Sequence, residues 1–313
     1  MEKTLIGRRQ LLKALPVAAA AVEAGRYALA QTLSQTVAGR FKQGITRQVF
    51  GQKATTEECC REAVKIGFKG FDFADSPEDW PILKKYGLVQ SMYRVDAPGA
   101  TPAPGGGPAL NKPPGWDAIA WKEAQGVFLK ACHDGIDTAA TNGFPNFLLQ
   151  AGPRGAGLSL DQGADNAVAF CNALKSHAED KGVTLCMEIL NSKQMQGGVV
   201  RTSMFDHTAW GVDVVKRVNS PRVKILYDIW QADIMEGDVA KTITDNFQYI
   251  AHFHTGGVPG RHQIDDSQEL NYHYIAKVIA DLGYTGFVSH EWSPTPGTDP
   301  IAAAKKVFEI MNA

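Results

Sequence analysis

The sequence predicts an α/β chain folded as a single (β/α)8 barrel behind an export signal, and three observations point there. Short apolar runs alternate with longer amphipathic segments from residue 44 to the end of the chain, the pattern of parallel strands joined by helical crossovers. Eight strand segments are present in that span, the number that closes such a barrel. The late strands also end in carboxylates and a histidine, and barrel enzymes carry their chemistry at the carboxyl ends of strands. A doubly wound sheet is the competing architecture. It calls for a Gly-x-Gly-x-x-Gly turn after the first strand, and "VFGQKATTEE" does not supply one.

Taken in order, "GITRQVFG" (44–51) reads as the first strand. "TTEECCREAVKIGF" (55–68) is a helix, with a threonine cap, an early glutamate pair and apolar residues at helical spacing. "GFDFAD" (70–75) and "GLVQSMYRV" (87–95) are strands two and three. Residues 96–116 are dense in proline and glycine, which suits neither helix nor inner strand. They read as a long loop over a site, a lid. "DAIAWKEAQGVFLKACHDGI" (117–136) is helical, and "NFLLQAG" (146–152) is strand four. "ADNAVAFCNALKSHAEDKG" (164–182) is an amphipathic helix stopped by Gly182. Strands five to eight are 183–190, 223–230, 250–256 and 286–292, separated by helices over 209–220, 239–248 and 272–284 and followed by one over 301–313.

The first thirty residues are set apart. Arg8-Arg9, Leu11-Leu12-Lys13, an alanine-rich stretch and Ala28-Leu29-Ala30 before Gln31 read as a bacterial twin-arginine export signal. The barrel then spans 31–313, and the expected location is the periplasm or beyond. No apolar run approaches the roughly 20 residues of a membrane-spanning helix. Lys and Arg total 32 against 33 Asp and Glu, with no basic stripe, which argues against a nucleic-acid partner. The five cysteines show no Cys-x-x-Cys pairing and read as small buried hydrophobes.

The last charged or histidine residue is Glu188 in strand five, Asp228 in strand six, His254 in strand seven and Glu291 in strand eight, so each is about one βα unit from the next. Three carboxylates converging in a barrel mouth would repel one another, and desolvation would add to the cost. A divalent cation removes both problems. Three carboxylate oxygens and an imidazole suit Mn²⁺ or Mg²⁺, with Zn²⁺ or Co²⁺ as further options. His252 shares the face of His254, one layer deeper. His290 points the other way from Glu291 and reads as structural. Asp72 and Asp75 read as rim groups with a hydrogen-bonding role at most.

The segments "MEILN", "YDIWQADIMEGD", "IAHFHTGGVPGRHQID", "ELNY" and "GFVSHEW" resemble the xylose isomerase-like TIM-barrel superfamily, in particular its hydroxypyruvate isomerase-type and ketose 3-epimerase-like branch. That resemblance implies metal binding by Glu188, Asp228, His254 and Glu291. It implies proton exchange by Glu188 and Glu291, through an enediolate of a small sugar or hydroxy-keto acid. Arg261, Gln231 and His252 are the residues expected to contact substrate. The superfamily usually carries Asp-x-x-His after strand six, whereas this chain has Gln231 there, which can donate a hydrogen bond but cannot carry the proton. Isomerase, ketose epimerase, lyase or hydrolase on the same barrel, and a non-catalytic carbohydrate-binding barrel all remain open. Abasic-site endonucleases share the barrel but use several zinc ions and more histidine than the eight present here. Association into a homo-oligomer is a further expectation from the resemblance.

Overall fold

A computed structural model of the chain describes residues 40–51, 53–95, 118–155, 157–193, 195–196, 199–200 and 202–313. The expected export signal (1–30) and the proline- and glycine-rich segment read as a lid (96–116) both lie outside the described residues. Eight parallel strands form one sheet: β1 (Lys42–Thr46), β2 (Gly70–Asp72), β3 (Val89–Gln90), β4 (Asn146–Leu149), β5 (Thr184–Glu188), β6 (Val223–Asp228), β7 (Ile250–Thr255) and β8 (Phe287–His290). Their order is β3-β2-β1-β8-β7-β6-β5-β4. Among the described residues, parallel bridges from Tyr93 to Phe147 and from Ala118 to Gln150 link the chain after β3 to the region of β4 at the other end of that order. This is the predicted barrel.

Helices α1 (Thr56–Ile66), α2 (Trp80–Lys85), α3 (Lys122–Asn142), α4 (Leu160–Lys181), α5 (Thr208–Val218), α6 (Ile229–Met235), α7 (Val239–Asn246), α8 (Tyr272–Asp281) and α9 (Pro300–Ile310) alternate with the strands along the chain. Local chemistry sets their limits. Thr55 and Glu58 form a capping box that starts α1, and Ser159 and Gln162 do the same for α4. Gly182 ends α4 in the left-handed region at φ 71°, where a side chain would be strained. Every residue of β4 and β5 is buried, as expected for strands covered on both faces.

Several boundaries differ from the sequence expectation. The first strand stops at Thr46, and Arg47–Phe50 form a 3-10 turn that buries Val49 and Phe50 together, which an alternating strand would not do. The third strand contracts to two residues. Helix α3 starts only at Lys122, because Ala118 is held in extended pairing with Gln150. The sixth strand ends at Asp228 rather than running to Trp230: the Asp228 side chain accepts from the Gln231 amide and caps α6. Helix α2 and a short hairpin, Met195–Gln196 with Val199–Val200, were not anticipated.

The core has two parts. A large outer layer joins strands to helices, while Met92, Leu148, Cys186 and Leu226 form a small separate cluster. The barrel narrows around glycine: a Cβ on Gly44 would sit 2.2 Å from Ser289 Oγ. The register of β7 carries the main consequence for function. Ile225 pairs with Ile250, but Leu226 pairs with His252 and Asp228 with His254, so Ala251 is an extra residue. This bulge shifts the alternation by one. Without it Phe253, not His254, would stand beside Asp228.

Candidate metal centre at the barrel mouth

Glu188, Asp228, His254 and Glu291 come together, each offering one ligand atom, with all four atoms within 4.8 Å of one another. Three barrel strands and the segment after β8 supply them. Asp228 and His254 are partners across β6 and β7, Glu188 sits opposite Leu226, and the Glu291 amide donates to Thr255 O just above His254. Asp228 and His254 are fully buried, Glu188 is nearly so, and the Glu291 side chain is 19% exposed. The cluster is therefore open to solvent mainly at Glu291.

Charge balance explains how these acids coexist. Arg261 Nη2 lies 2.5 Å from both Asp228 Oδ2 and Glu291 Oε2, and its Nε donates to the Glu291 carbonyl at 2.8 Å. The guanidinium also rests over the Trp230 ring, 5.0 Å from its centroid. Burial pushes the Asp228 carboxyl up to about 6, against the pull of Arg261 and His254. Burial acts on Glu291 too, but there Arg261 and His254 prevail and hold the carboxyl down at about 2. For His254, burial works against the charged ring, while Glu291, Asp72 and Glu188 hold its pKa well above the ordinary imidazole value. Arg261 itself has φ 57°, a left-handed conformation costly for a non-glycine residue and typical of functional loops.

His254 Nδ1 is the atom of the cluster that most needs a partner. It lies 2.9 Å from Glu291 Oε2 and 3.4 Å from Glu188 Oε1, yet it makes no directed hydrogen bond. A buried ring nitrogen ringed by carboxylate oxygens, with no directed partner, is what a ligand set shows around an ion's place. Three oxygen donors and one imidazole nitrogen, without thiolate, fit a hard or borderline divalent cation.

The other expected residues take different positions. Gln231 is buried; its Oε1 accepts from the Asn191 amide at 2.8 Å and from Asn191 Nδ2 at 2.5 Å, so its oxygen is committed to protein. His252 is fully buried beneath His254, with Nε2 2.8 Å from Asp72 and Nδ1 3.5 Å from Asn146, so both ring nitrogens face protein groups rather than the mouth. His290 also stays within the fold, between Thr255 Oγ1 and Gln43 Oε1. Asp75 pairs with Arg94 at 2.8 Å, as a rim group would. Asp72 departs from the rim reading: it is buried, and its Oδ2 contacts both His252 and His254. No local signal in "GFDFAD" distinguishes it from Asp75.

Acids and an imidazole converging at the carboxyl ends of parallel strands make this a barrel protein with a polar cluster at its mouth that could hold a cation. The chain belongs to the xylose isomerase-like TIM barrel family, whose description it matches over residues 60–312. Among its relatives is a 2-oxo-tetronate isomerase of Cupriavidus necator, 34% identical over 121 residues, 39% of this chain and 44% of that protein. A 2-oxo-tetronate isomerase of Haemophilus influenzae is 26% identical over 239 residues, 74% of this chain and 85% of that protein. The match thus spans under half of the first relative's length and most of the second's. The solved structure of a 3-keto-D-glucoside 4-epimerase from E. coli superposes with a TM-score of 0.68 at 18% identity, covering 87% of this chain and all of that one. At that identity the likeness is one of fold.

Proposed function

We propose that this chain is a divalent-cation-dependent isomerase or epimerase of a small keto-sugar or hydroxy-keto acid, working through an enediolate. The observation that carries the reading is the convergence of Glu188, Asp228, His254 and Glu291 within 4.8 Å, with His254 Nδ1 undirected toward any protein acceptor. The names of the relatives, both 2-oxo-tetronate isomerases, support the reaction class.

Glu188, Asp228, His254 and Glu291 would hold the ion, with Mn²⁺ or Mg²⁺ the best match to their oxygen-rich set. Bound there, a divalent cation supplies a Lewis acid for adjacent substrate oxygens. The chain's own groups do the rest. One of Glu188 and Glu291 takes the proton from the carbon beside the carbonyl, and the C–H electron pair becomes the C=C bond of the enediolate. The other returns a proton: to the opposite face of the same carbon for epimerisation, with the oxygen's electron pair re-forming the C=O, or to the former carbonyl carbon for isomerisation, with the adjacent hydroxyl passing its proton to the former carbonyl oxygen and becoming the new C=O. Arg261 helps keep Glu291 and Asp228 ionised and fixed in place, and it would be on hand to contact a substrate oxygen. The oxygen of Gln231 is taken by Asn191, so the amide nitrogen is the group it would have left to offer a substrate. The twin-arginine signal would deliver this activity to the periplasm. Replacing Arg8 and Arg9 by lysine should then retain the protein in the cytoplasmic fraction.

The test is solvent exchange. Protein stripped by chelator and reloaded with Mn²⁺ is offered hydroxypyruvate and a panel of ketoses in D₂O. Deuterium entering the carbon beside the carbonyl, in the reloaded protein alone, is expected. No exchange on any panel member with Mn²⁺ bound would refute the reading.

A further inference from the structure

Asp72 holds a place in the barrel that its sequence context does not explain. Strands β1 and β8 separate β2 from β7 in the sheet. The carboxylate nevertheless reaches the β7 histidines, because Gly44, Gly70, Ser91 and Ser289 keep the neighbouring interior narrow. Asp72 is 1% exposed. Its Oδ2 lies 2.8 Å from His252 Nε2 and 3.0 Å from His254 Nε2, and its Oδ1 accepts from Ser91 Oγ. Asn146 ties the same group together, donating to the Ser91 carbonyl at 2.9 Å and standing 3.5 Å from His252 Nδ1. The ring of His254 is thereby gripped on one edge, and its other edge is turned to Glu188 and Glu291.

We propose that Asp72 is the positioning residue of the cation site: it accepts the Nε2 hydrogen of His254, so that Nδ1 is the nitrogen aimed between Glu188 and Glu291 and the one that gives up its proton to an ion. The inference rests on the cation-binding reading above. An imidazole ligand has two chemically distinct nitrogens, and the partner of one decides which is free to bind. His252 shares the same acceptor oxygen and braces it from below. Asp72, His252 and His254 are also close enough together to hold an ion of their own. Their contacts, however, are of hydrogen-bond length, and all three side chains are sealed from solvent. Nothing in their geometry asks for a second cation.

The experiment is Mn²⁺ titration calorimetry on the chelator-stripped full chain. Wild type should bind one Mn²⁺. Asp72→Asn should bind it roughly 10- to 100-fold more weakly, with the circular dichroism and melting of the stripped protein retained. In a His254→Gln background, Asp72→Asn should change affinity by less than about twofold, because the effect passes through that ring. An equal loss in both backgrounds would mark a general packing role and overturn the proposal. So would an unchanged affinity, or two Mn²⁺ per chain with the second lost in Asp72→Asn. If Asp72→Asn does not fold, Ser91→Ala, which loosens only the Oδ1 side, should weaken Mn²⁺ binding a few-fold, and no change there overturns it equally. Wild type that binds no Mn²⁺ would overturn both the cation site and this role. Wild type that binds Mn²⁺ alongside an equally competent Asp72→Asn would overturn this role alone.

Discussion

Replacing Arg261 by methionine tests how the four acceptor groups are kept together. The arginine Nη2 sits 2.5 Å from Asp228 and 2.5 Å from Glu291, and its side chain is only 18% exposed. At such separations and an effective dielectric of about 20, each pair is worth several kcal/mol of Coulomb energy. Asp228, pushed up to about 6 even with the guanidinium present, would lose its main counter-charge. Removing one partner of a buried pair typically costs about 3–5 kcal/mol. For a chain of this size that corresponds to a fall in melting temperature on the order of 10 °C. Divalent cation should reverse most of it, since a ligand at a thousandfold its Kd stabilises by about 4 kcal/mol. The assay is thermal and urea unfolding of wild type and Arg261→Met, each stripped by chelator and each with excess Mn²⁺. A stripped Arg261→Met as stable as stripped wild type would refute the reasoning, and so would a destabilised variant that Mn²⁺ does not rescue.

Other expectations are simpler. Glu188→Gln should fold normally and lower turnover by roughly 10²–10⁴, the usual weight of one positioned acid–base group; retained turnover would remove Glu188 from proton transfer. Gly44→Ala should destabilise by about 1–3 kcal/mol through overpacking, because its Cβ would meet Ser289 Oγ at 2.2 Å. Adding Ser289→Gly should recover most of that loss in the same urea titration. All five cysteines are buried and outside any disulfide, and burial pushes the thiols of Cys59, Cys60 and Cys171 up to about 12. A disulfide reagent at pH 8 should therefore find no fast-reacting thiol in the native protein and five in denaturant. A fast-reacting native thiol would contradict the burial.

What the sequence made legible follows from how local each signal is. Helix α4 announces itself through its periodic apolar face and Gly182, both short-range features. The four residues of the cluster are legible because each is the last charged or histidine residue of its predicted strand segment, so one rule applied four times picks them out. The extent of the sixth strand is not legible, because "KILYDIW" is apolar enough for either strand or helix and only the Asp228 cap decides. Nor is the bulge at Ala251, which determines that His254 rather than Phe253 stands beside Asp228. The pairing of His252 and His254 at alternate positions suggested an inward face but could not name the carboxylate that receives them. Asp72 is 180 residues from His252 in the chain, and only barrel closure brings the two together. The commitment of Gln231 to Asn191 is hidden for the same reason.

The central claim is that Glu188, Asp228, His254 and Glu291 share one ion. Crystals soaked in Mn²⁺ and measured at an anomalous wavelength test it most directly. One anomalous peak within about 2.0–2.4 Å of those four side chains, with Nδ1 as the His254 donor, is the predicted result. The absence of a peak there, in protein that binds Mn²⁺ in solution, would contradict it.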